Sequence, residues 1–434
     1  MEDILAEARK SAEAAEVFTA TSEETAVQFE ANHLKHLQTR QSTVVALRVI
    51  KDGRIGYATG TQLSNARGLV AAAVETAQFG TPARFEFPAT AAFPAIEVYD
   101  EAATAVAFEA MVGLGGDMVD RITAHTPGII CEAGVSRAKI SFRLMNSRGG
   151  QARYDKTVFS LGIEGNLTNG TDMLFVGESE SSCHPITDAT VVTDAVTRQL
   201  DLASNRATVP SRFLPVIFTS NGVASALVLP LMAAFNGKTV LEGASPVGGK
   251  LGQPVFDARF SLRDDATLPY RPGSRPCDDE GVPSQRTALV EAGVVSSFLY
   301  DLQTAGLART RSTGNGSRGR AALPSPSPSA FVIAPGDTTF DDMVRDIKEG
   351  LVIEQLIGAE QGNILGGDFS GNVLLGYKIE DGRMVGRVKD TMVSGNVYQL
   401  LKEVAAIGSE TRWVSGFVQT PPICFPSLSV ASKA

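Results

Sequence analysis

Two Asp-Gly pairs, Asp52-Gly53 and Asp381-Gly382, each stand between short runs of alternating residues in "ALRVIKDGRIGYATG" and "GYKIEDGRMVGRVKD". Such a pair favours the two-residue turn whose backbone twist matches two paired strands, so each site predicts an antiparallel hairpin. A third hairpin is written in "KISFRLMNSRGGQARYDKTVFSLGIEG", with residues 146 to 150 as its turn. A chain punctuated this way at both ends does not fold as one alternating parallel sheet. Helical spacing separates the hairpins: in "MEDILAEARKSAEAAEV", at about 64 to 78 and 103 to 124, and in "DATVVTDAVTRQLDLASN", where Asp188 is placed as a cap. "AEVFTAT" and "TAVQFEAN" read as two short strands.

With 434 residues the chain exceeds one ordinary core. The pattern breaks at the proline of "ATVPSRF", and beyond it lie the apolar helix 222 to 235 and a glycine-punctuated, strand-rich stretch. Two further helices are read in "TTFDDMVRDIKEG" and "GNVYQLLKEVAAIG". The expected class is α+β in two domains: an N-terminal mixed α/β domain with antiparallel hairpins over residues 1–207, and a β-rich C-terminal domain with interspersed helices over 208–434.

The net charge of -9 argues against nucleic acid as a partner. The longest apolar run is too short to span a bilayer and contains Pro230, and the N-terminus lacks the basic and apolar regions of a signal peptide. Four widely spaced cysteines form no CxxC pair, which suits reduced thiols. The expectation is a cytoplasmic protein that meets neither membrane nor nucleic acid.

Candidate chemistry is sparse. His33 and His36 in "HLKH" could meet on one helix face but have no third ligand nearby; Cys183-His184 offers either metal donors or a thiolate pair, again without the rest of a site. Cys277 precedes Asp278, Asp279 and Glu280, and neighbouring negative charge raises a thiol pKa, so it is a poor nucleophile. The three acids are adjacent in a turn, so their side chains diverge. The stretch 306 to 330 carries Arg309, Arg311, Arg318 and Arg320 around three glycines. It reads equally as a carboxylate- or peptide-holding loop or as a surface loop ending in a Ser-Pro spacer. "LGGDFSGN", with Asp368 and Ser370, is a second glycine-rich turn where backbone can approach closely.

Taken in order, "CDDEGVPS", "STGNGSR", "GGDFS", "GYKIEDGRM", "VSGN" and "FPSLSVASK" resemble the TldD/PmbA family, once labelled modulators of DNA gyrase. The resemblance is strongest from about 213 to 434. One branch of that family carries a metal-binding HExxxH helix with a further cysteine ligand near the C-terminus. Here the corresponding helix, 221 to 237, contains no His, Asp or Glu, and "GSETRWVSG" contains no cysteine. The chain therefore resembles the other branch, TldE (PmbA). The resemblance implies a subunit with no catalytic or metal residue and no cofactor of its own, the divalent metal being supplied by a TldD-like partner in a heterodimeric peptidase, or a homodimer in its absence. The substrate class implied is unfolded or short peptides, with Arg311, Ser312, Thr313, Gly314, Asn315, Arg318, Asp368 and Ser370 as expected substrate contacts and 277 to 284 as a structural turn. Two other readings stay open: a non-catalytic homodimeric binder of peptides or carboxylates, and a hydrolase using Cys183-His184.

Overall fold

A computed structural model describes residues 1–319 and 323–433. The first half is built on a six-stranded antiparallel sheet, ordered β3-β2-β1-β4-β5-β6. Its strands are β1 (Ala14–Glu30), β2 (His33–Lys51), β3 (Arg54–Gly60), β4 (Ile130–Asn146), β5 (Gln151–Asn169) and β6 (Asp172–Ser182). At 19 residues, β2 and β5 are each roughly 60 Å long at about 3.3 Å per residue. Asp52 and Gly53 both have positive φ, at 52° and 67°, the backbone the hairpin turn requires.

Several expectations change at this level. "AEVFTAT" and "TAVQFEAN" are not two strands but the two ends of β1, which pairs with β2 from Ala14 to Glu30 across a single bulge at Gln28 and Phe29. Polar residues in its middle remain in the strand because the ladder on both sides satisfies their backbone. His33 and His36 lie on β2 and not on a helix; the bulge between them sets them opposite Glu30 and Gln28 on one face, and among the described residues no three His, Cys, Asp or Glu side chains gather there as metal ligands. The first helix is only Glu2–Ala8, and the 103–124 pattern divides into Glu101–Ala105 and Phe108–His125. "GNVYQLLKEVAAIG" yields a helix of four residues, Val397–Leu400, capped by Asn396. Asp188 does accept the Thr190 amide, at 2.9 Å, in front of the helix Thr190–Leu202.

One face of the first sheet is covered by the helices Glu2–Ala8 and Ala66–Ala77, which bury Ile4, Leu5, Leu69 and Val70 on Val17, Val45, Leu47 and Val49. The opposite face carries Phe18, Ala46, Phe142 and Leu144, and it packs on Cys277 from the second half. Farther along, the helices Phe108–His125 and Thr190–Leu202 share a core that also contains Ile217, Val352, Tyr377, Ile379 and Cys424. Two distant parts of the chain thus bury each other's apolar surface, the dominant favourable term in holding them together.

In the second half, a ladder closes on itself. The strand Glu349–Ile357 pairs with Arg212–Phe218, then Ile423–Ser432, Thr391–Asn396 and Asp368–Glu380, which pairs back onto Glu349–Ile357. Closure removes free edges from these strands. Phe218 meets Phe369 and Phe425 edge to face, with ring centroids 6.3 and 5.8 Å apart. The apolar helix joins the same core through Val223, Leu227 and Leu231. It is not a uniform α-helix: Ser220–Val223 runs into a π segment, Ala224–Val228, before Leu229–Ala234. Pro230 lacks an N–H and its ring crowds the carbonyl four residues back, and the wider turn falls where that conflict must be absorbed. A second six-stranded sheet, carrying Leu262–Asp265 and Phe331–Ile333, supports the 264 to 331 region.

Candidate functional site

The segments "CDDEGVPS" and "STGNGSR" interlock beneath the first sheet. Asp278 accepts the amides of Glu280 and Val282 on Oδ1, both at 2.9 Å, and the Gly316 amide on Oδ2 at 2.8 Å. Asp279 accepts the Arg318 amide at 2.7 Å, while its own amide donates to the Gly316 carbonyl at 3.0 Å. Glu280 turns the other way, accepting from Arg48 at 2.6 Å and from the Leu302 amide at 2.7 Å. The three carboxyl groups diverge, and each has a separate task. A Cβ on Gly316 would stand 2.5 Å from Glu280 Oε2, so this crossing needs glycine.

Arg48 connects this turn to the first sheet. Its guanidinium donates to Glu16 at 2.9 Å and Glu280 at 2.6 Å, and it lies 4.6 Å from the Phe85 ring centroid. Glu16 and Arg48 are cross-strand neighbours on β1 and β2, and Glu16 also pairs with the Arg318 guanidinium. All four side chains are at most 2% exposed. Burial pushes the Asp278 carboxyl up to about 8, with Glu280 adding to the shift, and pushes Asp264 up to about 6. The Cys277 thiol rises to about 12 through burial first and Asp278 second. It is a protonated core side chain.

The expected substrate contacts separate into two groups. Ser312 donates to the Tyr300 carbonyl at 3.0 Å, and Thr313 donates to the same carbonyl at 3.1 Å while accepting the Tyr300 amide at 2.8 Å. Gly314 has a φ of 73°. Asn315 is buried and donates to Asp264 at 2.6 Å and to the Ser327 carbonyl at 3.1 Å. Arg318 is buried against Glu16, Asp279 and Phe18. Arg309 and Arg311 are exposed, and Arg320 lies outside the described residues. Asp368 and Ser370 are exposed at the start of the strand Asp368–Glu380, where Asp368 accepts from Asn396 at 2.8 Å and Ser370 contacts Met392 Sδ at 3.4 Å. The structure thus places Ser312 to Asn315 and Arg318 inside the protein framework and leaves Arg311, Asp368 and Ser370 at the surface.

Cys183 and His184 do not form a nucleophilic pair. Burial pushes the Cys183 thiol up to about 11, and His184 Nδ1 donates to the Asp100 carboxylate, 2.7 Å away, with its ring over Tyr270.

An open cleft lies elsewhere, at the start of the apolar helix, with a volume of about 330 Å³. Thr219, Ser220 and Asn221 form one wall, Gly408, Glu410 and Arg412 another, and Arg198, Asp341, Glu354 and Tyr377 complete it. Asn221, from the region 221 to 237, and Gly408, Glu410 and Arg412, from the region 408 to 416, therefore line one space. From this wall the Asn221 amide donates to Glu354 at 3.3 Å and, away from the cleft lining, to Glu178 at 3.4 Å, which also accepts the Ser179 amide at 3.0 Å. Burial raises the Glu354 pKa, and Glu178 adds to it. Arg412, 62% exposed, reaches to within 3.7 Å of Glu178. The donors in the cleft do not fit a divalent metal: among the described residues no three His, Cys, Asp or Glu side chains converge as ligands. Sequence reasoning missed Glu178, Asn221 and Glu354, because they come from a strand, a helix start and another strand with no local motif around any of them.

Residues 211–432 match the family described as PmbA/TldA metallopeptidase C-terminal domain, and residues 15–77 match PmbA/TldA metallopeptidase domain 1. An uncharacterized protein of Methanocaldococcus jannaschii is 28% identical over 418 residues, 94% of each chain. The metalloprotease PmbA homolog of Haemophilus influenzae is 25% identical over 295 residues, 66% of this chain and 62% of that one. The metalloprotease TldD homolog of the same organism is 28% identical over 204 residues, 47% of this chain and 42% of its own length. In structure, TldE from Thermococcus kodakarensis superposes over 100% of both chains with a TM-score of 0.87 at 22% identity. A Thermotoga maritima protein described as a modulator of a DNA gyrase does so over 99% of both, with a TM-score of 0.89 at 22% identity. These two likenesses establish the fold, and the sequence match extends from residue 211 almost to the end of the chain: it belongs to the PmbA/TldD family.

Proposed function

We propose that this chain is a TldE/PmbA-like subunit of a cytoplasmic metalloprotease complex acting on unfolded or short peptides, the metal being supplied by a TldD-like partner. The single observation that carries the reading is the cleft at the start of the apolar helix. Asn221 from the helix region and Gly408, Glu410 and Arg412 from the other region where metal ligands are expected in the metal-bearing branch line it, and residues 221 to 237 carry no histidine or carboxylate. Alanine and leucine hold no cation, so the fold is kept while the metal chemistry moves to another chain. Arg311, Asp368 and Ser370 are the surface residues in this reading that meet peptide, while Ser312, Thr313, Gly314, Asn315 and Arg318 shape the backbone beneath them. No described helix is long and apolar enough to cross a membrane.

The test is purification of the chain alone, measurement of bound metal, and an assay of cleavage of an unstructured peptide with and without chelator. Cleavage that requires a TldD-like chain and stops with chelator supports the proposal. Cleavage by the isolated chain in excess chelator overturns it. Peptide binding that no partner alters, by a chain that pairs only with itself, moves the assignment to a homodimeric binding protein.

A further inference from the structure

We propose that the TldD-like partner subunit joins this chain along the free edge of β2, residues 36 to 44, by adding one of its own extended strands to the first sheet. The inference rests on the heteromeric reading above and names the surface that reading requires.

The argument starts from unequal pairing on the two sides of β2. On one side, β1 pairs with it from His33 to Ile50. On the other, β3 pairs with it only from Val45 to Lys51. Among the described residues nothing pairs with the outer side of 33 to 44. From His36 to Val44 the ladder to β1 is regular, since the bulge at Gln28 and Phe29 falls at its end. That run is roughly 30 Å long at about 3.3 Å per residue, and about four or five of its residues turn N–H and C=O outward. It contains no proline or glycine, and one full charge, Arg40. Strand edges are usually shortened, bulged, charged or covered, because a row of open backbone groups recruits another extended chain.

Side chains add two features. Leu37 and Leu34 are the register partners of Val27 and Phe29, so they share that face of the sheet. Val27 and Phe29 are buried in the core that holds the helix Phe108–His125, whereas Leu34 and Leu37 are 49% and 51% exposed. An added strand with an apolar residue opposite Leu37 would extend this covered layer. Arg40 stands opposite Glu24 in register, yet among the described residues it makes no ion pair. It is available to a carboxylate on the incoming strand. A second copy of this chain is a poor occupant: antiparallel overlap over the whole of 36 to 44 sets Arg40 against Arg40, and like charges directly opposite are destabilising.

The position separates this edge from the cleft. Glu178, which the Asn221 amide reaches, lies on β6, and the strand order β2-β1-β4-β5-β6 sets β6 four spacings of about 4.8 Å, roughly 19 Å, from β2. A strand added at β2 therefore lies away from the cleft, as suits an assembly contact.

The experiment mixes the full chain with a TldD-like chain from the same organism, reading association by sedimentation velocity and its location by hydrogen exchange. In the complex, amides within 36 to 44 are expected to exchange about tenfold more slowly or less. Arg40→Glu should weaken association by about tenfold, with its own thermal unfolding unchanged, and Leu37→Asn should weaken it in the same direction. A complex that forms with exchange at 36 to 44 unaltered and with Arg40→Glu at wild-type affinity overturns the inference and leaves the subunit reading in place. Absence of any complex with the wild type overturns both. Slow exchange at 36 to 44 in the chain alone, rising with its concentration, would give the edge to a second copy. Protection conferred by an unstructured peptide would give it to substrate. Either result overturns the assignment to the partner subunit.

Discussion

Two groups of carboxylates in this molecule have opposite fates. Those at 278 and 280, with Glu16, are sealed between the first sheet and the second half, and guanidinium or backbone N–H groups meet all of their oxygens but Glu16 Oε2. Glu354 lines an open cleft with Glu178 close by; the Asn221 amide reaches them at 3.3 and 3.4 Å, and Glu178 also accepts the Ser179 amide at 3.0 Å. The difference teaches how to sort acidic residues by function: a carboxylate whose lone pairs are spent on its own chain is architecture, and one with capacity left beside open volume is available for a ligand. The sequence motif of three consecutive acids falls in the first class, and the functional candidates come from positions that no motif marks.

The strongest way to break the comparison is at Arg48. Its removal by Arg48→Ala leaves Glu16 and Glu280 buried with one fewer cation. Loss of one partner from a buried pair costs about 3–5 kcal/mol, so urea unfolding should show a fall of that size. A loss below about 1 kcal/mol, the range of exposed pairs, would mean that the cluster is open to water and does not join the two parts of the chain.

Asp278→Asn comes next. The amide cannot accept on both sides, so either the Gly316 amide or those of Glu280 and Val282 lose their acceptor, at about 1–3 kcal/mol for an unsatisfied buried group. This variant also carries a pH signature. The Asp278 carboxyl sits at about 8 when folded, above the roughly 3.9 of an exposed aspartate, so the folded state binds its proton more tightly. That contribution is complete below about pH 4 and is lost as pH rises through about 8. The asparagine variant has no such titration, so the stability margin of the wild type over it should narrow between those limits. A margin that widens with pH would show that Asp278 is held ionised.

How much of this was legible in the sequence depends on the range of the interaction. The Asp-Gly turns are local, and both hairpins stand where the pairs predict them. The helix of "GNVYQLLKEVAAIG" has apolar residues at helical spacing, but pairing of Ala406 and Ile407 with the terminal strand draws the chain out of the helix after one turn. The single long β1 could not be divided correctly from propensity, because its central polar residues are held by two neighbours far away in sequence. The same limit applies to sites. Glycines and arginines at 309 to 318 announced an unusual loop, yet only the fold shows that Arg318 points into Glu16, 302 residues away. Glu178 and Glu354 gave no signal at all, since a half-buried glutamate on a strand is unremarkable until its partner strand is known.

The smallest expected effect sharpens the comparison most. Glu354→Gln removes a charge that burial and Glu178 both disfavour, while keeping the shape that meets Asn221. Its cost in urea unfolding should be within about 0.5 kcal/mol, as for substitutions away from buried networks, in contrast to the several kcal/mol at Arg48. The folded pKa of Glu354 is raised, so relief of that burden by the variant should show most at neutral pH and fade below about pH 4, where the glutamate is protonated in both states. A loss comparable to that at Arg48 would place Glu354 with the sealed carboxylates.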